Sequence, residues 1–91
     1  MLKIVYTSKF KKDYKKIKKR GYNLKLLEEV LNLLIYESPL PQKYNDHELI
    51  GNYVNFRELH ITPDWLLVYK IDDDTLVLTL IRTGTHSDLF N

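Results

Sequence analysis

The sequence predicts an α+β fold in which an N-terminal strand and a helical hairpin pack on a largely antiparallel sheet, in β-α-α-β-β-β order. Two observations lead to this prediction. Apolar side chains recur at helical spacing between residues 8 and 36, and three short runs rich in β-branched and aromatic residues follow between residues 53 and 82. A length of 91 residues without an internal repeat predicts a single domain, residues 1–91.

Capping residues delimit the predicted hairpin. A strand is expected at residues 2–6, after which Ser8 is a good N-cap for the first helix and Gly21 supplies a left-handed residue at its end. Asn23 caps the second helix, which runs to about Tyr36 and is stopped by two prolines. The apolar stripes of the two helices comprise Phe10, Tyr14, Ile17, Leu24, Leu27, Leu31, Leu34 and Ile35.

Beyond the hairpin, predicted loops alternate with predicted strands. A polar, irregular loop spans residues 40–52, and the tail at residues 83–91 has no periodicity. The middle strand is apolar on both faces, which predicts a central place in the sheet. The three strands cover residues 53–61, 65–71 and 75–82, with turns at residues 62–64 and 72–74.

Composition restricts the kind of protein. An apolar fraction of 44% indicates a folded globule, and the absence of cysteine excludes disulfides and thiolate metal sites. The sequence shows neither a secretory leader nor about 20 consecutive apolar residues, so we expect a cytoplasmic protein that makes no membrane contact. Residues 1–20 carry nine basic side chains and one acidic, which makes this segment a candidate for contact with phosphates. A solvated, lysine-rich helix face is the alternative.

Strand order brings several chemically active side chains to one edge of the predicted sheet. Short connections make consecutive strands antiparallel neighbours, so the end of one strand, the turn that follows it and the end of the third strand meet. These positions carry His60, Asp64, Arg82 and His86. His47 lies in the preceding loop, which is long enough to return to this edge but is not required to do so by its spacing.

Histidines beside an arginine favour cleavage of RNA without a metal or any other cofactor. One imidazole takes the proton of a ribose 2′-OH, and a second protonates the departing 5′ oxygen. Arg82 would hold the non-bridging phosphate oxygens, and Asp64 would orient a histidine or accept from a ribose hydroxyl. Trp65 and Phe90 offer aromatic faces on which splayed bases stack. The predicted activity is that of a metal-independent endoribonuclease.

Structural roles compete with each of these assignments. His60 also fits a half-exposed strand position, and Asp64 fits a turn cap. Trp65 fits the core better than a stacking surface, and Arg82 fits an ion pair with Glu58 or Asp64. A zinc site made of the three histidines is disfavoured because their spacing matches no ligand motif.

Four segments resemble the YafQ branch of the RelE/ParE toxin superfamily. They are NDHELIG at residues 45–51, RELHITPDW at 57–65, LVYK at 67–70 and RTGTHSDLF at 82–90. The combination of His-x-x-Pro-Asp-Trp with a later Arg-Thr-Gly-Thr-His is specific, and the resemblance covers essentially the whole chain.

The resemblance implies a RelE-like fold and a bacterial type II toxin that cuts messenger RNA in the ribosomal A site. It implies a cognate antitoxin as partner, and it gives the basic helix a role in docking on ribosomal RNA. The family's catalytic positions match His47, His60, Asp64, Arg82 and His86. Its substrate-binding positions match Trp65 and Phe90, to which the basic segment adds Lys12, Lys15 and Lys16.

Two other functions stay open on the sequence. A ParE-like protein would inhibit DNA gyrase and cut no RNA, although the intact histidine set argues against it. A non-catalytic RNA-binding module would depend on the basic helix alone.

Overall fold

The six predicted strands and helices follow one another in the expected order in the computed structural model, which describes residues 1–51 and 55–90 and adds a short strand within the predicted loop and a helix at residues 86–90. The predicted α+β class is confirmed. In chain order the elements are β1 (Lys3–Tyr6), α1 (Ser8–Lys19), α2 (Leu24–Ile35), a 3₁₀ turn (Gln42–Tyr44), β2 (His47–Glu48), β3 (Arg57–Thr62), β4 (Trp65–Asp72), β5 (Val77–Gly84) and α3 (His86–Phe90). None of the helices described is long and apolar enough to cross a membrane.

Side-chain caps set the beginnings of the two long helices. The predicted N-cap at Ser8 is wrong by one residue, because the hydroxyl oxygen of Thr7 accepts the hydrogen bond of the Phe10 amide at 3.1 Å. The same Thr7 hydroxyl donates to the Leu80 carbonyl at 2.8 Å and so ties the start of α1 to β5. The predicted cap at Asn23 is confirmed, since its side chain accepts from the Lys25 amide.

The five strands form one mixed sheet in the order β1-β5-β4-β3-β2. β1 runs parallel to β5, and the other neighbours are antiparallel. The strand predicted to start at residue 53 starts at Arg57, after the left-handed Asn55, and residues 52–54 lie outside the described part of the chain. The strand predicted to start at residue 75 starts at Val77, because Leu76 is also left-handed (φ 57°).

Each face of the sheet has its own apolar cluster. The helical hairpin covers the first face, where Leu59, Leu67 and Leu80 are fully buried. On the opposite face, called here the second face, Leu66, Val68 and Leu89 form a smaller buried cluster. Side chains alternate along a strand, so Glu58 and His60, the neighbours of Leu59, belong to the second face.

A β-bulge at Ile81 changes the face of the sheet on which the following side chains of β5 lie. Tyr69 pairs with Leu80 and Val68 pairs with Arg82, which leaves Ile81 as the extra residue. Strict alternation would send Arg82 to the helical side together with Leu80. The register instead places Arg82 opposite Val68, on the second face.

The prediction of an irregular tail is wrong, since residues 86–90 form α3. Thr85 and Asp88 cap this helix reciprocally: the Thr85 hydroxyl oxygen accepts from the Asp88 amide at 3.1 Å, and the Asp88 carboxylate accepts from the Thr85 amide at 2.9 Å. Leu89 is buried against Leu66 and Val68. The helix therefore lies on the second face, beside the strand ends.

Candidate active site

Two histidines and a buried glutamate form the centre of the site on the second face. His47 pairs with Glu58 across β2 and β3, and its ring centroid lies 6.2 Å from that of His60. The Oε1 atom of Glu58 is 3.3 Å from Nε2 of His47 and 3.9 Å from Nε2 of His60. The loop therefore does return His47 to this part of the sheet, which its spacing allowed but did not require.

Backbone carbonyls orient both imidazoles through their other ring nitrogens. Nδ1 of His47 is 2.7 Å from the Asn45 carbonyl oxygen, and Nδ1 of His60 is 3.3 Å from that of Pro63. These contacts favour the tautomer with a proton on Nδ1, which leaves each Nε2 directed at Glu58.

Asp46 holds the short strand that carries His47. The Arg57 guanidinium donates to the Asp46 carboxylate from Nε at 3.1 Å and from Nη2 at 2.7 Å, and the Tyr69 hydroxyl donates to the same group. Burial and the Asp46 charge raise the pKa of Tyr69, so its phenol stays protonated and remains a donor. This cluster ties the segment that carries His47 to β3 and β4.

Glu58 is the one member of this group that carries an unsatisfied atom. Its side chain is 8% exposed, and its Oε2 has no hydrogen-bond partner among the described residues. A buried carboxylate costs free energy through desolvation, which nearby positive charge offsets. Glu58 therefore places its carboxylate beside both imidazoles.

A cavity of about 480 Å³ opens beside His60, at the turn between β3 and β4. Three of the residues that strand order predicted to converge, His60, Asp64 and His86, line it together. Asp64 is exposed in the turn, and His86 is exposed at the first position of α3. Phe90, one helical turn further, contacts the His86 ring with a centroid distance of 4.9 Å.

Arg82 does not line this cavity but lies beside it on the second face, in the set of cross-strand partners next to that of His60. Cross-strand pairing aligns Glu58, Val68 and Arg82, so Arg82 is two strand spacings, about 10 Å, from Glu58 at the backbone. Its guanidinium binds Asp13 of α1 in a bidentate manner, from Nε at 2.6 Å and Nη2 at 3.1 Å. Asp13, rather than Glu58 or Asp64, is thus the partner of Arg82.

Trp65 is 2% exposed and belongs to the core under the hairpin. Its Nε1 donates to the Thr83 hydroxyl at 2.8 Å, and its ring meets Tyr22 edge-to-face at a centroid distance of 5.0 Å. No face of the indole is open to a nucleobase in this conformation. The burial agrees with the core alternative for Trp65, and Thr83 satisfies its polar atom.

The basic residues of α1 are exposed on the outside of the molecule. Lys12, Lys15 and Lys16 are solvent-accessible, whereas Phe10 and Ile17 are buried beneath them. The helix therefore presents a cationic surface next to its apolar face.

Sequence reasoning missed two groups of the site, Glu58 and Asp13. An available signal for Glu58 was its position two residues before His60 in a strand, which puts both side chains on one face. Asp13 is the only acidic residue in the basic N-terminal segment. A lone carboxylate on the apolar side of a lysine-rich helix indicates a buried partner of opposite charge.

Comparisons with known proteins agree along the full length of the chain. A family model for the bacterial toxin of type II toxin–antitoxin systems, YafQ, matches residues 2–91. The mRNA interferase toxin YafQ of Escherichia coli K12 is 41% identical over 88 residues, which cover 96% of this chain and 94% of the relative. A crystal structure of metal-bound toxin from Helicobacter pylori is 49% identical and has a TM-score of 0.93, covering 99% of this chain and 100% of that one. A chain of the crystal structure of the E. coli DinJ–YafQ complex has a TM-score of 0.91 at 39% identity, and the match covers 100% of this chain and 100% of that one.

Proposed function

The chain belongs to the YafQ family of mRNA interferase toxins from type II toxin–antitoxin systems, and we propose that it cuts messenger RNA in the ribosomal A site by attack of a ribose 2′-OH. Its partner would be a cognate antitoxin, which the E. coli DinJ–YafQ complex supports, and the proposed location is the cytoplasm. The observation that carries the proposal is the shared cavity of His60 and His86, with Glu58 beneath the first of them.

His60 and His86 divide the proton transfers. His60 takes the 2′-OH proton, because Glu58 stabilises the imidazolium that results. His86, which lines the same cavity, donates a proton to the departing 5′ oxygen. His47 shares the Glu58 carboxylate and adds positive charge when it is protonated.

Arg82 and Asp64 act on the phosphate and the ribose. Negative charge builds on the non-bridging oxygens as the 2′ oxygen attacks, and a guanidinium stabilises such charge through paired hydrogen bonds. Asp13 orients the Arg82 fork on the second face. Asp64 accepts from a ribose hydroxyl at the mouth of the cavity, and Phe90 offers its ring to a base.

The proposed chemistry needs no metal ion. Although two solved structures from H. pylori are described as copper-bound and metal-bound, the described residues of this chain contain no group of three or more His, Cys, Asp or Glu placed to hold a metal. His60 and His86 provide the general acid–base groups in its place. We therefore expect cleavage to continue in EDTA.

A single deoxynucleotide tests the reaction type. Purified protein is mixed with ribosomes programmed with a short messenger, and the cut is mapped by primer extension. Replacing the 2′-OH next to the scissile phosphate by hydrogen should abolish the cut, since the nucleophile is removed. The same replacement one nucleotide away is the control and should leave cleavage intact. Cleavage of the substrate that lacks the 2′-OH would contradict the proposal. So would a protein that inhibits DNA gyrase but does not cleave the native messenger.

The basic surface of α1 should determine affinity rather than the cleavage rate. We expect Lys12→Ala, Lys15→Ala and Lys16→Ala together to weaken ribosome binding and to reduce the slope of log affinity against log salt by about three. The cleavage rate at saturating ribosome concentration should stay the same. Filter binding at several salt concentrations measures the slope.

The matched control for this prediction removes three positive charges elsewhere. The exposed residues Lys25, Lys43 and Lys70 are replaced by alanine together. An equal loss of affinity in both triple variants would show that net charge, and not the α1 surface, drives binding. A loss of cleavage rate in the α1 variant without a loss of affinity would also contradict the prediction.

A further inference from the structure

Helix α3 carries His86 but has little packing of its own. It is five residues long, and Leu89 is its one buried side chain. Helices this short are unstable in isolation, because their few hydrogen bonds do not offset the conformational entropy that is lost when the first turn forms. The position of the His86 imidazole over the cavity therefore depends on contacts that hold α3 to the rest of the fold.

Asp88 connects α3 to the far end of α1. Its carboxylate accepts from the Arg20 guanidinium in a bidentate manner, with Nη1 to Oδ2 at 2.7 Å and Nη2 to Oδ1 at 3.1 Å. Oδ2 also accepts from the Thr85 amide, so one carboxylate both caps α3 and anchors it. Arg20 is the C-cap residue of α1, and 68 positions separate the two partners in the sequence.

The surroundings leave the Asp88 carboxylate little freedom. A Cβ atom on Gly84, which has a φ of 149°, would lie 2.9 Å from Oδ2. The hydrogen bonds from Arg20 and Thr85 hold the pKa of Asp88 well below its usual range, so the carboxylate is ionised at neutral pH. The contact of Arg20 with Asp88 is therefore present under the conditions in which the protein works.

We propose that Arg20 and Asp88 are positioning residues for His86: their ion pair fixes α3 so that the imidazole stays at the cavity that it shares with His60. The inference rests on the proposed function, because it takes His86 as a catalytic group. The proposal also gives Arg20 a different role from that of the lysines of α1. The Arg20 charge is bound to Asp88, whereas the lysines are available to an RNA backbone.

Removal of either charge, with a polar side chain kept at the position, tests the pair. Asp88→Asn and Arg20→Gln should each lower the single-turnover cleavage rate at saturating substrate by about 10-fold, as expected for a displaced catalytic group. Substrate affinity and the melting temperature should change little, because an ion pair at the surface, here with the Arg20 side chain 40% exposed, contributes little to global stability. The double variant should be no slower than Asp88→Asn alone, since the two residues act as one unit. The His86 ring signals in NMR spectra should broaden or shift in all three variants.

Matched controls are Asp73→Asn, in the turn at the opposite edge, and Lys25→Gln, at the start of α2, and both should cleave at the normal rate. Normal rates in Asp88→Asn and Arg20→Gln, while His86→Ala is inactive, would overturn the inference and leave the proposed function intact. Losses that multiply in the double variant would overturn it as well. Full activity of His86→Ala would instead overturn the catalytic role on which the inference rests.

Discussion

His60→Ala is expected to lower the single-turnover cleavage rate by about 10²–10⁴-fold, the range for loss of a general base. His60 is the residue that joins the two halves of the site: its Nε2 approaches Glu58, and its ring lines the cavity with His86. Loss of the imidazole removes the acceptor for the 2′-OH proton. Quenched-flow measurement with saturating ribosomes isolates this chemical step from binding.

Glu58→Gln provides the sharper form of this experiment, because the shape of the side chain is retained while its charge is lost. We expect a smaller loss of rate than in His60→Ala, and no loss of folding stability, since Oε2 is buried and has no hydrogen-bond partner in the described part of the chain. In the His60→Ala background, Glu58→Gln should cost less than it does alone if His47 contributes little to the reaction. Glu48→Gln is the matched control, because Glu48 is 80% exposed on the adjacent strand. An unchanged rate in His60→Ala would contradict the assignment of the base.

Asp13→Ala is expected to lower the free energy of unfolding by about 2–4 kcal/mol. The Asp13 carboxylate accepts two hydrogen bonds from Arg82 and a third, at 3.1 Å, from the buried Thr83 amide. Beyond the end of β1, this carboxylate takes the place of a neighbouring strand on the edge of β5. Its removal leaves the Thr83 amide without its acceptor and takes from Arg82 its bidentate ion pair. The expected cost is below that of a fully buried pair, because the Arg82 side chain is 21% exposed.

Urea denaturation followed by circular dichroism measures this cost. Asp13→Asn should lose less stability than Asp13→Ala, because an amide oxygen still accepts from Thr83. Asp73→Ala removes an exposed carboxylate and should change stability by less than about 0.5 kcal/mol. The prediction is contradicted if Asp13→Ala unfolds at the same urea concentration as this control. Since Asp13 also orients Arg82, its loss should slow cleavage in the protein that remains folded.

The order of elements follows from patterns that local physics determines. Helical spacing and a cap at Asn23 define the hairpin, and short turns force β3, β4 and β5 into an antiparallel arrangement. This arrangement is why His60, Asp64 and His86 could be expected to lie together. Each step uses residues close in the sequence, where propensity and connection length are informative.

Contacts between distant residues were beyond such reasoning. Arg82 lies on the second face because of a bulge at Ile81, which strict alternation does not foresee. The burial of Glu58 between two histidines depends on where a polar loop folds back. The place of α3 on the second face depends on Leu89 packing against β4 and on the contact of Asp88 with Arg20, 68 positions earlier in the sequence. None of these pairings produces a periodic pattern of residues in the sequence.

The parallel pairing of β1 with β5 has a consequence for how the molecule forms. The pairing joins Lys3 to Val77, so the sheet closes over nearly the whole chain. Contacts of such long range form late, because the entropy of closing the loop must be lost first. The meander of β3, β4 and β5 is local and is expected to form earlier. During synthesis, β1 therefore stays unpaired until β5 has been made, and RNA cleavage should begin only after that point.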